Sequence, residues 1–229
     1  MVIGIMQPYF FAYIGYFQLT SITDVFVIYD DVQYIKGGYI NRNRIAVDGK
    51  IRWLTFPVLR DAHDRLINQR FYKDDRETRG HLLRLVQTAY RGAPRFGSVF
   101  PLIAEIMSFP NANVAAFNTH LIQRMAKHLG HRTSFVLSSE LVKDNSLTGE
   151  ERVIEICRQL GASRYVNPIG GRNLYRAERF SHYAMELAFL EPAVVRTASP
   201  APLSIIDLIM NSSDETLEGA LKDYRLIPG

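Results

Sequence analysis

The stretch VIGIMQPYFFAYIGYFQLTSITDVFVIYDD, Val2 to Asp31, decides the fold. VIGIM is a short apolar run ended by Pro8, the pattern of a buried strand opening into a turn. YIGYFQLTSI carries apolar residues at helical spacing. DVFVIYD, Asp24 to Asp30, is β-branched and aromatic, the signature of a second buried strand. Strand, turn, helix and strand in that order open an α/β domain.

Working outward, Asp31 to Arg44 is rich in Gly and Asn and reads as an irregular loop, and IRWLTFPV as a third strand stopped by Pro57. From about residue 76 to 130 the pattern is helical: ETRGHLLRLVQTAY and NVAAFNTHLIQRMAKHLG both show the 3.6-residue period, the second with Gly130 as a C-cap. TSFVLSSEL returns to strand. SLTGEERVIEICRQLG reads as a helix with a capping box between Thr148 and Glu151, closed by Gly161. SRYVNP reads as a strand, AERFSHYAMELAFLE as a helix, and LSIIDLIMNSS as a late helix after Pro200 and Pro202. The expectation is one domain over residues 1–229, a three-layer α/β fold with a mostly parallel sheet and a helical insert at about 76–130. Ligands of such sheets bind beyond the carboxyl ends of the strands. The Tyr-rich turn, the Asp30 loop and NPIGG all fall there.

Composition narrows the class. With 47% hydrophobic and 22% charged residues the chain is globular rather than disordered or fibrous. No apolar run reaches the ~18 to 20 residues of a membrane span, and no signal peptide is apparent, so a cytoplasmic protein without membrane insertion is expected. The single cysteine, Cys157, excludes an internal disulfide and a cysteine-rich zinc site, and mid-helix among apolar neighbours it reads as a buried hydrophobe. The six histidines show no metal-ligand spacing; His128 and His131, near a helix end, read as dipole partners. Net charge is +4, and Arg42, Arg44, Lys50 and Arg52 form the densest basic group. Without a recognisable nucleic-acid module these cations read as solvated surface or small-anion contacts, and no nucleic-acid partner is expected.

The chemistry-bearing residues cluster early. Gln7 donates and accepts, and Tyr9, Tyr13 and Tyr16 each offer a ring and a hydroxyl, a combination suited to sugar or base recognition, while Phe10, Phe11 and Phe17 read as core. The spacing of YIGY matches the HIGH turn of class I nucleotidyl-transferring (HUP-like) folds, with tyrosines in place of both histidines. Asp30 and Asp31 are adjacent, so at most one faces a given pocket. Lys36, Asn41, Arg42 and Asn43 supply donors for phosphate or sugar hydroxyls, and Lys36 or Arg42 would lower a neighbouring carboxylate's pKa. His81 is a candidate general base. Gly170 and Gly171 let backbone amides approach an anion, with Arg172 adding charge and Tyr175 a ring for stacking.

Assembled in order, MQPYFFAYIGYFQL, DVFVIYDDVQYIKGGYINRNRI, WLTFPV, GHLLRLVQTAYRGAPRF, ERVIEICRQLGASRYVN, the glycine-rich turn and LSIIDLIMNSS resemble the WbqC-like family over nearly the whole chain. Ala12 stands where the family more often has proline, and Tyr39 where it more often has tryptophan. The resemblance implies a bacterial protein linked to O-antigen (lipopolysaccharide) and other surface-polysaccharide clusters. It suggests N-acyl or aminoacyl transfer to the amine of a nucleotide-linked amino sugar. For such a transfer the roles expected are His81 or Asp31 as base, and Asn41 and Asn43 as donors to an oxyanion or sugar hydroxyl. Lys36, Arg42 and Arg172 would hold phosphates, with Gln7, Tyr9, Tyr13, Tyr16, Gly170, Gly171 and Tyr175 lining the ligand. The acyl donor is not identified by the sequence. An ATP-dependent amide ligase and a non-catalytic sugar-nucleotide-binding partner of a glycosyltransferase stand as alternatives.

Overall fold

In the computed structural model, residues 1–193 and 202–229 are described, so Pro200 lies outside the described residues. In chain order they form β1 (Val2–Met6), α1 (Ile14–Ile22), β2 (Val25–Ile28), β3 (Arg42–Val47), β4 (Lys50–Thr55), α2 (Arg76–Tyr90), α3 (Phe96–Met107), α4 (Val114–His128) and β5 (Ser134–Leu137). After these come α5 (Gly149–Gln159), β6 (Arg164–Pro168), α6 (Ala177–Ser181), β7 (Glu186–Pro192), α7 (Ile205–Asn211), α8 (Asp214–Lys222) and β8 (Tyr224–Pro228).

Alternation along the strands builds the layers. Ile3, Ile5, Val27, Tyr165, Leu187 and Phe189 face one side of the sheet, where Val153, Ile156 and Cys157 of α5 and Phe180 of α6 cover them. Phe26, Ile28, Val166, Ala188 and Leu190 face the other, against α1, α4, α7 and α8. Gly4 sits between these rows because α1 comes close: a Cβ there would meet Thr23 Cγ2 at 3.0 Å. The result is the three-layer α/β arrangement expected from the sequence.

The sheet runs β5-β2-β1-β6-β7-β8, parallel except for β8, which pairs antiparallel with β7. The chain therefore starts at the centre, builds outward through β2 and β5, and returns to β1's other side with β6 and β7. The order reverses between β1 and β6, which makes their carboxyl ends the topological switch point. β3 and β4 stand apart as a two-stranded antiparallel hairpin.

Four local expectations change. IRWLTFPV pairs with β3 rather than joining the main sheet; the Asp48-Gly49 turn, with φ of +49° and +72°, is a hairpin signal that the loop reading passed over. AERFSHYAMELAFLE divides: only Ala177–Ser181 is helical, Ala184 turns the chain at φ +54°, and ELAFLEP becomes β7, an apolar run buried on both faces. Thr148 caps α5 without a side-chain hydrogen bond, so the capping box does not form, although Gly161 does close the helix region at φ +69°. His131 is no helix-dipole cation: burial pulls its pKa down to about 4, and its Nδ1 pairs with Thr20 Oγ1 at 2.8 Å.

Candidate functional site

The turn after β1 is held open by buried amides and hydroxyls. Asn43 Nδ2 donates to the carbonyls of Phe10 (3.3 Å) and Phe11 (3.0 Å), and Ser204 Oγ donates to Phe11 O at 2.7 Å. Asn118 Nδ2 donates to Pro8 O at 2.8 Å and Ile40 O at 2.7 Å. Phe11 itself is left-handed, at φ +39°. That conformation costs a residue with a side chain about 1–2 kcal/mol. The three donors fix it, and with Phe10 and Phe11 fully buried the turn presents the half-buried Tyr9 and Tyr13 on either side.

Tyr9 reaches the hairpin through Tyr39, in the loop before β3. The Tyr9 ring lies 5.9 Å from Tyr39, which lies 6.1 Å from Trp53 on β4. In the hairpin register Arg44 is opposite Trp53 and Arg42 opposite Thr55, so both arginines and the indole share its outer face. Arg44 donates to Tyr39 Oη at 2.8 Å and lies 5.5 Å from the indole centroid; Arg42 lies 4.2 Å from the same centroid. Arg42 is steadied by the carbonyls of Gly38 (3.3 Å) and Gly37. No carboxylate among the described residues forms an ion pair with either guanidinium. Burial, then the neighbouring phenols Tyr9 and Tyr39, pushes Tyr13 up to about 12; burial and Tyr39 raise Tyr9. The Tyr13 hydroxyl thus feels those of Tyr9 and Tyr39, and Tyr9 and Tyr13 remain neutral hydrogen-bond donors at pH 7. We call this group the tyrosine–arginine–tryptophan wall. It offers flat faces for a ring and two guanidiniums for an anion.

A second polar group lies where β2 and β5 end. Asp30 accepts from Ser139 Oγ at 2.6 Å and from Ser139 N at 3.0 Å. Asp31, turned the other way, pairs through Oδ2 with both Lys143 Nζ and Arg152 Nη2 at 2.7 Å. Burial pushes the Asp31 carboxyl up, but the bond from Lys143, the nearby Ser138 hydroxyl and the charge of Arg152 outweigh it and hold the pKa below the usual value. Lys143 and Arg152, not Lys36 or Arg42, are therefore its cationic partners. A carboxylate made less basic in this way suits an electrostatic clamp better than proton abstraction.

At the switch point, Gly170 and Gly171 open a 3₁₀ turn beyond β6, as the sequence placed them. Gly171 is packed against Asn167, whose Nδ2 donates to Tyr165 Oη at 2.7 Å. Tyr175 is half-buried, edge-on to Tyr165 at 5.4 Å, and Arg172 is exposed. Gln7 is half-buried at the end of β1.

The structure thus brings Tyr9, Tyr13 and Arg42 together with Tyr39, Arg44 and Trp53. It brings Asp31 together with Lys143 and Arg152. Tyr16 is fully buried, its hydroxyl donating to Gln7 O at 3.1 Å, so it supports the turn from behind. Asn43 is equally buried, and Asn41 donates to Phe56 O and accepts from Tyr34 Oη, both at 2.9 Å. Their amides hold main chain and loop rather than face a ligand. Lys36 is exposed on the loop, and His81 is on the solvent side of α2. The residues that sequence reasoning missed had a partial signal: the Asp-Gly turn flanked by alternating residues would have put Arg42, Arg44 and Trp53 on one face. Lys143 and Arg152 lie more than 100 positions from Asp31 and had none.

The sequence model of the family described as "WbqC-like protein family" matches residues 7–218. The uncharacterized protein Rv1507c of Mycobacterium tuberculosis is similar at 27% identity, over 93% of this chain and 94% of that protein. No solved structure matches.

Proposed function

The chain belongs to the WbqC-like protein family, and on that premise we propose that it binds a nucleotide-linked amino sugar at the tyrosine–arginine–tryptophan wall and transfers an acyl or aminoacyl group to the sugar's amine, in surface-polysaccharide assembly. The observation that carries this reading is the pair of guanidiniums, without carboxylate partners among the described residues, beside Trp53, which is 42% exposed. Two adjacent guanidiniums suit a diphosphate, and an exposed indole suits a base or the apolar face of a sugar. The neutral Tyr9 and Tyr13 hydroxyls supply donors for sugar hydroxyls or for the oxyanion that forms as the amine attacks. Asp31, clamped by Lys143 and Arg152, holds the neighbouring loop ends in register. His81 is retained as a general base only through the family resemblance.

The test is turnover. Purified protein with a nucleotide-linked amino sugar and an activated acyl or aminoacyl donor should yield the amide, seen by mass spectrometry as the sugar nucleotide plus the acyl mass. Binding without amide under every donor would leave a non-catalytic sugar-nucleotide-binding protein instead.

One feature favours the ligase as a second reading. YIGY opens α1 directly after β1, at the carboxyl edge of the sheet, the place where a nucleotide phosphate meets a helix N-terminus in doubly wound folds. Space there is limited: a Cβ on Gly15 would stand 2.5 Å from the Tyr13 ring and 2.7 Å from Pro192. This reading requires ATP and predicts AMP and pyrophosphate as products.

A further inference from the structure

The net charge of the chain is concentrated in one place. Residues 32–60 hold Lys36, Arg42, Arg44, Lys50, Arg52 and Arg60 against Asp48 alone, a net +5, while the whole chain is +4, so all the rest sums to −1. The next acid, Asp61, is paired with Arg65 at 3.4 Å. The wall uses two of the six cations. Lys36, Lys50, Arg52 and Arg60 are exposed and make no ion pair among the described residues. Lys50 lies at the hairpin tip and Lys36 on the loop before β3; paired with Val47 and Ile45, Lys50 and Arg52 stand on the face opposite Arg42 and Arg44, so the ribbon carries charge on both faces. Six residues of strand span about 20 Å. That is more positive surface than one diphosphate neutralises, and it calls for a repeating anion.

We infer that this ribbon docks the phosphate backbone of an RNA whose aminoacylated end is the acyl donor for the wall. The inference rests on the aminoacyl-transfer reading above. It departs from the sequence-based expectation of no nucleic-acid partner, because the hairpin gathers Arg42, Arg44, Lys50 and Arg52 onto the two faces of one ribbon. An aminoacyl ester on a terminal ribose is already activated. The sugar's amine attacks the ester carbonyl, the C–N bond forms, the C–O bond breaks, and the ribose leaves as a free hydroxyl carrying the proton that the amine gives up. No nucleotide triphosphate is consumed in that step.

The experiment measures binding of fluorescently labelled total tRNA by anisotropy, at 50 and 200 mM salt, beside duplex DNA and vesicles containing phosphatidylserine. A Lys50→Ala/Arg52→Ala double variant is run in parallel, and the emission of Trp53, the single tryptophan, reports sugar-nucleotide binding separately. Four phosphate contacts predict a slope of log K against log salt of about −3, so affinity should fall roughly 50- to 150-fold over that salt range. The double variant should flatten the slope by about 2 and leave the Trp53 response unchanged. RNA binding no stronger than that of DNA or vesicles would mean an unspecific cationic surface and overturn the inference. Absence of RNA binding with a normal Trp53 response overturns the RNA alone. RNA binding with a silent Trp53 overturns the sugar-nucleotide reading, and the donor role falls with it.

Discussion

Arg42 lies 4.2 Å from the centroid of Trp53 while its guanidinium also binds the carbonyls of Gly37 and Gly38. One side chain therefore ties the loop before β3 to the face of the hairpin and presents its charge beside an exposed ring. Replacing Arg42 with Ala removes both functions, and Lys cannot restore the planar stack and forked donation together. Loss of a charge-assisted contact of about 1.5–3 kcal/mol predicts that Arg42→Ala weakens sugar-nucleotide binding roughly 10- to 150-fold, measured by calorimetric titration. Arg42→Lys should recover only part of that loss. Unchanged affinity in both variants would remove Arg42 from the site.

Asp31 makes an acid-stability prediction with a definite sign. Its folded pKa is held below the ordinary value, so its ion pairs contribute stability above the unfolded carboxyl's pKa of about 4 and lose it as pH falls through the folded value. Thermal melts of the wild type should fall steeply below pH 4. Asp31→Asn leaves Lys143, whose side chain is 1% exposed, without its countercharge. Breaking a buried pair of this kind costs about 3–5 kcal/mol. The variant should melt lower at pH 7 and show a flatter acid limb. An acid limb as steep as that of the wild type would mean that another carboxylate sets it.

Two neighbouring glycines should behave differently. A Cβ on Gly171 would lie 2.1 Å from Asn167 Oδ1, whereas one on Gly170 meets nothing within 4 Å. Gly171→Ala must displace Asn167 and its bond to Tyr165, at a cost of about 1–3 kcal/mol. Gly170→Ala should stay within about 0.5 kcal/mol of wild type. Denaturant unfolding of the pair measures the contrast, and equal stabilities would contradict the packing described.

Cys157 is buried, and burial pushes its thiol up to about 12. Little thiolate exists at pH 7, and reagents reach it only through opening of the fold. Labelling with a disulfide reagent should be slow in native protein and complete in denaturant. Rapid native labelling would show that α5 opens locally.

The sheet was legible because its information is local. Val2–Met6 and Val25–Ile28 are short apolar runs between turn signals, and their buried faces follow from alternation alone. ELAFLEP was misread because an apolar run buried on both faces carries no period, and the Phe180 helix before it lent its own pattern. The site was legible only in part. Tyr9, Tyr13 and Arg42 lie within one distinctive segment, but the use of each depends on neighbours far along the chain. Asn43 and Arg42 are adjacent in β3, yet one points into the turn and the other to the outer face. No composition argument separates them, whereas the hairpin register does. Tyr13 stands just before α1 in extended backbone and Tyr16 lies within its first turn, and that difference puts one ring at the wall and the other in the core.

The most direct test of the central claim is a titration of the intrinsic fluorescence of Trp53 with nucleotide-linked amino sugars at fixed ionic strength. Trp53 is the single tryptophan and belongs to the wall, so its emission reports that surface alone. The account predicts a saturable change with a sugar nucleotide, weakened at least tenfold by Arg44→Ala and by Tyr13→Ala. Emission that stays constant while calorimetry registers binding would place the ligand elsewhere and contradict the assignment of the wall.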